Sequence, residues 1–184
     1  APRTGYSACV VGGGMLVFGG LGLQQWTDRT HGEQGLYQTT TFYNDLWRLD
    51  LATFEWELVE ASGDVPMGRW GHACLALDDR MLVLGGEGAG HRPLASGYEL
   101  LFATATWRRI PFTSAPCQPR MNFTATLVYD RRDKPSLKAI EGNPMSALGV
   151  LLVGGRLAPG HGAHGSVGCL HAQGLSVEAE GPGR

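Results

Sequence analysis

The sequence predicts an all-β protein built from a repeated four-stranded antiparallel sheet. Three observations predict it: a phrase that recurs three times, fixed spacings inside that phrase, and short β-rich apolar runs with no long stretch of 3.6-residue apolar period. The phrase opens on Pro and Arg, continues to an apolar run ending in Gly-Gly, and closes on an Ala-Thr turn and a Trp. Arg3, Gly19, Gly20 and Trp56 carry its first statement, and Arg69, Gly85, Gly86 and Trp107 its second. The third uses Arg120, Gly154 and Gly155. Arg3 to Gly19 and Arg69 to Gly85 are both 16 positions; Trp56 to Arg69 and Trp107 to Arg120 are both 13. The full periods are 66 and 51 residues, and their difference of 15 lies wholly between Gly-Gly and Trp. The third unit stretches elsewhere, with 34 positions from Arg120 to Gly154. From Gly155 the spacing of the second unit places its last aromatic at position 176, where Ser176 stands.

Each unit reads as a meander of four strands. Strand a covers Tyr6 to Val11, Ala73 to Leu77 and Phe123 to Tyr129. Strand b is the run before Gly-Gly, continuous in Met, Leu and Val as a buried strand should be. Strand c spans Asp45 to Leu51, Tyr98 to Phe102 and, with a weaker pattern, Val167 to His171. Strand d carries Trp56 or Trp107. Gly12-Gly13-Gly14 suits a tight hairpin turn between a and b better than a phosphate loop, because neither a Lys nor a helix follows it. Paired glycines at a strand end admit positive φ and close approach of another backbone. A large aromatic at a fixed place in each sheet can fill the wedge between neighbouring sheets. The repeated Arg is expected to donate to main-chain carbonyls rather than to a ligand.

The residues Pro2-Arg3-Thr4-Gly5-Tyr6, Gly68-Arg69-Trp70-Gly71-His72, the three Gly-Gly pairs, Tyr43-Asn44-Asp45-Leu46-Trp47 and the two Trp residues together resemble the kelch-repeat β-propeller superfamily. The resemblance covers nearly the whole chain. It implies a kelch-type propeller segment of about three four-stranded antiparallel blades, blade 1 at about 1–62, blade 2 at about 63–114 and blade 3 at about 115–180. Propellers close with roughly 4–8 blades, so the segment is expected to belong to a larger propeller of six or seven blades. Closure by a second copy of the chain is a further arrangement that the count of three allows.

Composition narrows the function classes. Net charge is −2 and charged residues make up 17% of the 184 residues, which argues against a nucleic-acid electrostatic footprint. No apolar run reaches membrane-spanning length, so a membrane partner is not expected. Cys9, Cys74, Cys117 and Cys169 form no CxxC pair. Under the 66-residue offset Cys9 aligns with Leu75 rather than Cys74, and the cysteines read as reduced core thiols, not as a repeated framework. The compartment is open, with the cytoplasm favoured.

Function on such a scaffold is expected in the connections, because the strands are occupied with packing. The b–c segment of the first unit, Leu21 to Phe42, is read as a long loop. It holds Trp26, Asp28, Arg29, His31 and Tyr37, and aromatic and Arg side chains concentrate binding energy at protein interfaces. The a–b segment of the third unit, Asp130 to Leu148, carries Arg131, Arg132 and Lys134. It would emerge on the opposite face and suit an acidic peptide or phosphate. His161, His164, Cys169 and His171 are metal-ligand types but fall on a loop and a strand end, and no metal or other cofactor is assigned. Asn122-Phe123-Thr124 is a glycosylation sequon at a strand start, a protected place.

The expected function is a non-catalytic protein–protein interaction scaffold or adaptor with a protein partner of unknown identity. The alternative is an accessory or catalytic kelch domain of an enzyme, of the metal-dependent oxidase or specifier type, with key residues in blades outside this chain. Within the resemblance, specifier proteins carry Glu-x-x-x-Asp-x-x-x-His; Glu60 and Asp64 match the first two places, but Gly68 stands at the third. No Ser-His-Asp or Cys-His nucleophile set is identifiable by spacing.

Overall fold

A computed structural model of the chain describes residues 1–28, 35–77, 79–111, 118–129, 147–157, 167–171 and 176–178. In chain order, β1 (Ser7–Val11), β2 (Gly14–Phe18), β3 (Leu21–Asp28), β4 (Gly35–Phe42), β5 (Leu46–Asp50) and β6 (Trp56–Leu58) build the first unit. Its sheet has the order β1-β2-β5-β6, and β3 pairs with β4 as a separate ribbon. The second unit follows with β7 (Ser62–Gly63), β8 (Arg69–Trp70), β9 (Ala73–Ala76), β10 (Arg80–Leu84), β11 (Glu87–Gly88), β12 (Arg92–Pro93), β13 (Gly97–Leu101) and β14 (Thr106–Ile110). Here the order is β9-β10-β13-β14, with β7 added in parallel beside β14. The third unit has β15 (Arg120–Met121), β16 (Thr124–Tyr129), β17 (Ala147–Val153), β18 (Arg156–Leu157), β19 (Val167–His171) and β20 (Ser176–Glu178), and its sheet runs β16-β17-β19-β20. The fold is all-β, and the described residues contain no helix. β20 starts at Ser176 and pairs with β19, but the place predicted for the lost aromatic is off by one residue. Leu49 opposes Trp56 and Leu100 opposes Trp107, and the equivalent Leu170 opposes Val177 in β20. The extra residue lies between strands b and c, since Leu170 follows Gly155 by 15 positions and Leu100 follows Gly86 by 14.

The a–b connection of the first sheet is a two-residue turn. Val11 pairs with Gly14, and Gly12 and Gly13 have φ of 52° and 74°, the left-handed pair that such a hairpin requires.

Strand β10 shows why strand b is apolar without interruption. Side chains alternate across a strand. Met81 and Val83 join Leu16, Phe18, Leu46, Leu100 and Trp107 in one buried cluster against the first sheet. Leu82 and Leu84 join Ile110, Val150 and Leu152 in a second cluster against the third. A sheet covered on both faces cannot afford a polar alternate position.

The repeated Arg and Gly-Gly form the joint between units. Arg3 Nη1 donates to the Gly19 carbonyl at 3.1 Å and Arg69 Nη1 to the Gly85 carbonyl at 2.9 Å, which accounts for the shared spacing of 16. The second glycine reaches forward: Gly20 N–H donates to the Arg69 carbonyl and Gly86 N–H to the Arg120 carbonyl, each at 2.8 Å. A Cβ on Gly19 or Gly85 would lie 2.8 or 2.7 Å from that same carbonyl oxygen of the following unit. Both glycines have positive φ as well, so only glycine fits on two independent grounds.

The wedge reading holds for one aromatic and fails for the other. Trp107 is 1% exposed, with its ring centroid 5.1 Å from that of Phe18 across the seam. Trp56, in the same place on the first sheet, is 51% exposed. The wedge lies toward the preceding unit, and among the described residues no sheet precedes the first.

Candidate interaction surface

The segment Leu21 to Phe42, expected as a loop, is a β-ribbon. Its register runs without a slip from Leu21 opposite Phe42 to Asp28 opposite Gly35. The second unit has the same hairpin in short form, with Glu87 opposite Pro93 and Gly88 opposite Arg92. Leu21–Phe42 exceeds Glu87–Pro93 by 15 residues, the whole difference between the two periods. The insertion is therefore an elongation of an existing hairpin, not a new loop. Thr39, Thr40 and Thr41 supply β-branched residues suited to such a strand.

Eight paired positions at about 3.3 Å per residue give a ribbon of about 25 Å. Among the described strands, β3 and β4 make their extended contacts only with each other. Trp26 and Tyr37, picked out separately in the sequence, are directly opposed in the register, two pairs from the Asp28 end. Leu23, nearer the base, is 66% exposed.

The base of the ribbon is tied to both sheets. Thr4 and Leu21 exchange backbone hydrogen bonds at 2.8 Å. Arg3 stacks over the Tyr43 ring at 4.0 Å and pairs with both oxygens of Asp45 at 2.5 and 2.9 Å. Burial opposes ionisation of Asp45, but Arg3 and the Trp47 Nε1–H hold its carboxyl below the usual range. Phe42 meets His91 edge to face at 5.7 Å, and His91 Nδ1 lies 3.1 Å from the buried Glu87 carboxylate. Thus the long hairpin of the first unit leans on the short one of the second.

As the sequence predicts, the repeated Arg donates to main-chain carbonyls, at Gly19 and Gly85; its side-chain partner is not legible in the sequence. In the first unit it is Asp45; at the equivalent place in the second stands Ser96. Arg69 is fully buried, and its partners are the Gly85 and Met67 carbonyls, the Ser96 hydroxyl at 3.3 Å and the Tyr98 ring. No carboxylate pairs with it among the described residues, and burial pushes its pKa down to about 10.

The other sequence candidates separate as follows. Trp26, Asp28 and Tyr37 lie on the ribbon, while Arg29 and His31, between its strands, lie outside the described residues. Arg131, Arg132 and Lys134 also lie outside them, as do His161 and His164. Gly68 cannot stand in for a metal-binding His: a Cβ there would collide with the Phe42 carbonyl. Among the described residues no group of three His, Cys, Asp or Glu could hold a metal ion. A cleft of about 240 Å³ between the first two sheets is lined by Asn44, Asp45, Leu58, Glu60, Val65 and Trp107. That is smaller than the usual small-molecule pocket of roughly 300–1,000 Å³.

Residues 1–131 match the family model described as the KLHDC2/KLHL20/DRC7 Kelch-repeats domain. The chain is similar to mouse Kelch domain-containing protein 1, with 32% identity over 131 residues, 68% of this chain and 27% of that protein. It is similar to rice Adagio-like protein 1, with 32% identity over 130 residues, 68% of this chain and 18% of the relative. Rat Kelch domain-containing protein 3 is 31% identical over 131 residues, 67% of this chain and 31% of its own length. The chain therefore spans less than a third of the length of these relatives.

Proposed function

From the premise that the chain belongs to the kelch-repeat family of β-propellers, we propose that it is part of a non-catalytic interaction scaffold whose β3–β4 ribbon grips a protein partner. Kelch domains generally bind proteins, and the family is mostly non-enzymatic. The observation that carries the finer reading is the elongation of one hairpin by 15 residues into a ribbon whose strands, among the described strands, make their extended contacts with each other. An isolated two-stranded ribbon is marginally stable in water, and its open edges favour pairing with another chain. Trp26, Asp28, Arg29, His31 and Tyr37 belong to residue types suited to the contact. The sheets correspond to blades at about 1–62, 63–114 and 115–180, with further blades supplied by the longer protein, as the greater length of the relatives supports.

The test uses the full-length protein and two variants. One carries Trp26→Ala with Tyr37→Ala; the other has its ribbon cut to the length of Glu87–Pro93. Partners are identified by affinity capture with mass spectrometry, and their Kd is then measured. Two hot-spot truncations of about 2 kcal/mol each, taken as additive, weaken binding by on the order of a thousandfold, with no change in thermal midpoint. A partner that binds the shortened-ribbon variant at full strength overturns the proposal.

A further inference from the structure

Two cysteines that the repeat offset separates are brought together by the packing. Repeat-equivalent residues point the same way, so residues that face one another across a seam must differ from that offset by an odd number. Here the step is 65, one less than the period of 66. Ser7 Oγ lies 2.5 Å from His72 Nε2 with that separation, and two residues further along each strand are Cys9 and Cys74. Their thiols share a hydrogen bond, and both pack against the same apolar cluster. Cα atoms of β1 and β9 come within 8 Å of each other, so the two strands are neighbours, and a disulfide requires a Cα separation of about 4.4–6.8 Å. The cysteines are free and half-buried, within reach of a small oxidant.

The next seam shows that this chemistry is not a requirement of the scaffold. One less than the 51-residue period pairs Leu75 with Ala125 and Leu77 with Leu127, and all four pack on one apolar cluster. Leu75 and Ala125 stand where Cys9 and Cys74 stand. A sulfur pair in place of an aliphatic one adds little packing but adds two-electron chemistry.

We propose that Cys9 and Cys74 form a reversible disulfide on exposure to hydrogen peroxide, stapling the first sheet to the second. The two thiols are not equivalent. Two donors, the Cys9 thiol and the Ser7 hydroxyl, converge on the Cys74 sulfur, while Cys9 hydrogen-bonds to Cys74. Converging donors favour the charged form of a thiol, so Cys74 is assigned the nucleophile. Its thiolate attacks a peroxide oxygen, the O–O bond breaks, and hydroxide leaves to take up the proton that Cys74 lost, giving a sulfenic acid and water. The Cys9 sulfur then attacks the sulfenyl sulfur, the S–O bond breaks, and the Cys9 proton leaves with the oxygen as a second water. Two thiols give up two electrons in all, and one peroxide becomes two waters. A dithiol reductant reverses the bond by exchange.

The test treats the intact chain with hydrogen peroxide, blocks remaining thiols with N-ethylmaleimide, and digests with trypsin without reductant. Mass spectrometry is expected to find the peptide Thr4–Arg29 joined to Trp70–Arg80, two hydrogens lighter than their sum, in most molecules. Dithiothreitol should restore both alkylatable thiols. In Cys9→Ser, dimedone should trap a sulfenic acid on Cys74; in Cys74→Ser, Cys9 should stay unlabelled at the same dose. Free thiols at both positions after treatment, a dominant bridge to Cys117 or Cys169, or irreversible sulfinic acid at Cys74 would each overturn the proposal. Equal dimedone labelling of Cys9 in Cys74→Ser would overturn the assigned roles.

Discussion

Trp56 and Trp107 occupy the same place in consecutive sheets, each followed 13 residues later by the repeated Arg. One is 51% exposed and the other 1%. The difference lies in the neighbour: Trp107 has Phe18 and Leu16 of the preceding sheet to pack on, and Trp56 has no counterpart among the described residues. The aromatic is thus a seam residue, and its worth depends on what stands on the side before it. Trp107→Ala is expected to lower the unfolding free energy of this chain by about 3–5 kcal/mol, and Trp56→Ala by less than about 1 kcal/mol, measured by urea denaturation. Equal losses would break the comparison. In a longer chain that supplies a preceding blade, Trp56→Ala should rise toward the cost at Trp107.

The opposite end of the repeat gives the mirror-image case. A Cβ on Gly85 would meet the Arg120 carbonyl oxygen at 2.7 Å, whereas one on Gly154 meets nothing within 4 Å among the described residues. Both have positive φ, 60° and 73°. Gly154→Ala therefore carries only the left-handed strain of about 1–2 kcal/mol, while Gly85→Ala adds a main-chain clash and should lose about 2–4 kcal/mol. A thermal melt of the two variants ranks them. If they fall together, the first glycine does not act as a spacer between sheets.

The scaffold was legible where spacing is set by contacts inside one unit. Arg to Gly-Gly is 16 in the first two units, where the guanidinium reaches its own unit's glycine carbonyl, and 34 in the third, where the segment between strands a and b is longer. The last strand of the third unit could be placed to within one residue even though its aromatic is lost, since Val177 rather than Ser176 holds the Trp place, because the frame of strands outlives one side chain. The ribbon was not legible. The elongated hairpin carries Gln24, Gln25 and Asp28 beside Thr39 to Thr41, so no clean apolar alternation distinguishes it from a polar loop. Nor was the facing of Cys9 and Cys74, because aligning repeats reports equivalent residues, and equivalent residues point the same way rather than at each other. The exposure of Trp56 could not be read either, since burial there depends on chain beyond the repeat that contains it.

The two seams also differ in acid. His72, at the first seam, is 6% exposed; its equivalent at the second is Phe123. Burial, with the Arg69 charge beside it, pushes the His72 imidazole from 6.5 down to about 3. The unfolded chain then binds a proton below pH 6.5 that the folded chain refuses until about pH 3. Stability rises with pH across this window, so acidification should cost about 1.4 kcal/mol per pH unit from this group. His72→Phe, which gives the first seam the side chain of the second, should flatten that slope in urea titrations at pH 4.5, 5.5 and 6.5. A slope unchanged by the substitution would locate the acid sensitivity elsewhere.

The smallest effect is expected at the Arg partners, where the units differ by one carboxylate. Arg3 has Asp45; Arg69, fully buried, has the Ser96 hydroxyl at 3.3 Å. Ser96→Asp would bring a carboxylate to a guanidinium that is already desolvated, so the new side chain's own loss of hydration is the only added cost. A charge-assisted hydrogen bond contributes about 1.5–3 kcal/mol, and after that desolvation a net gain of about 1 kcal/mol is expected. Asp45→Ser should lose a similar amount, because it leaves Arg3 with the partner set that Arg69 has now. The double variant tests whether the two sites are independent, in which case its effect is near zero. Should Ser96→Asp instead destabilise, the carbonyls around Arg69 already balance its charge, and the serine is the better fit for a cation held by main-chain oxygens.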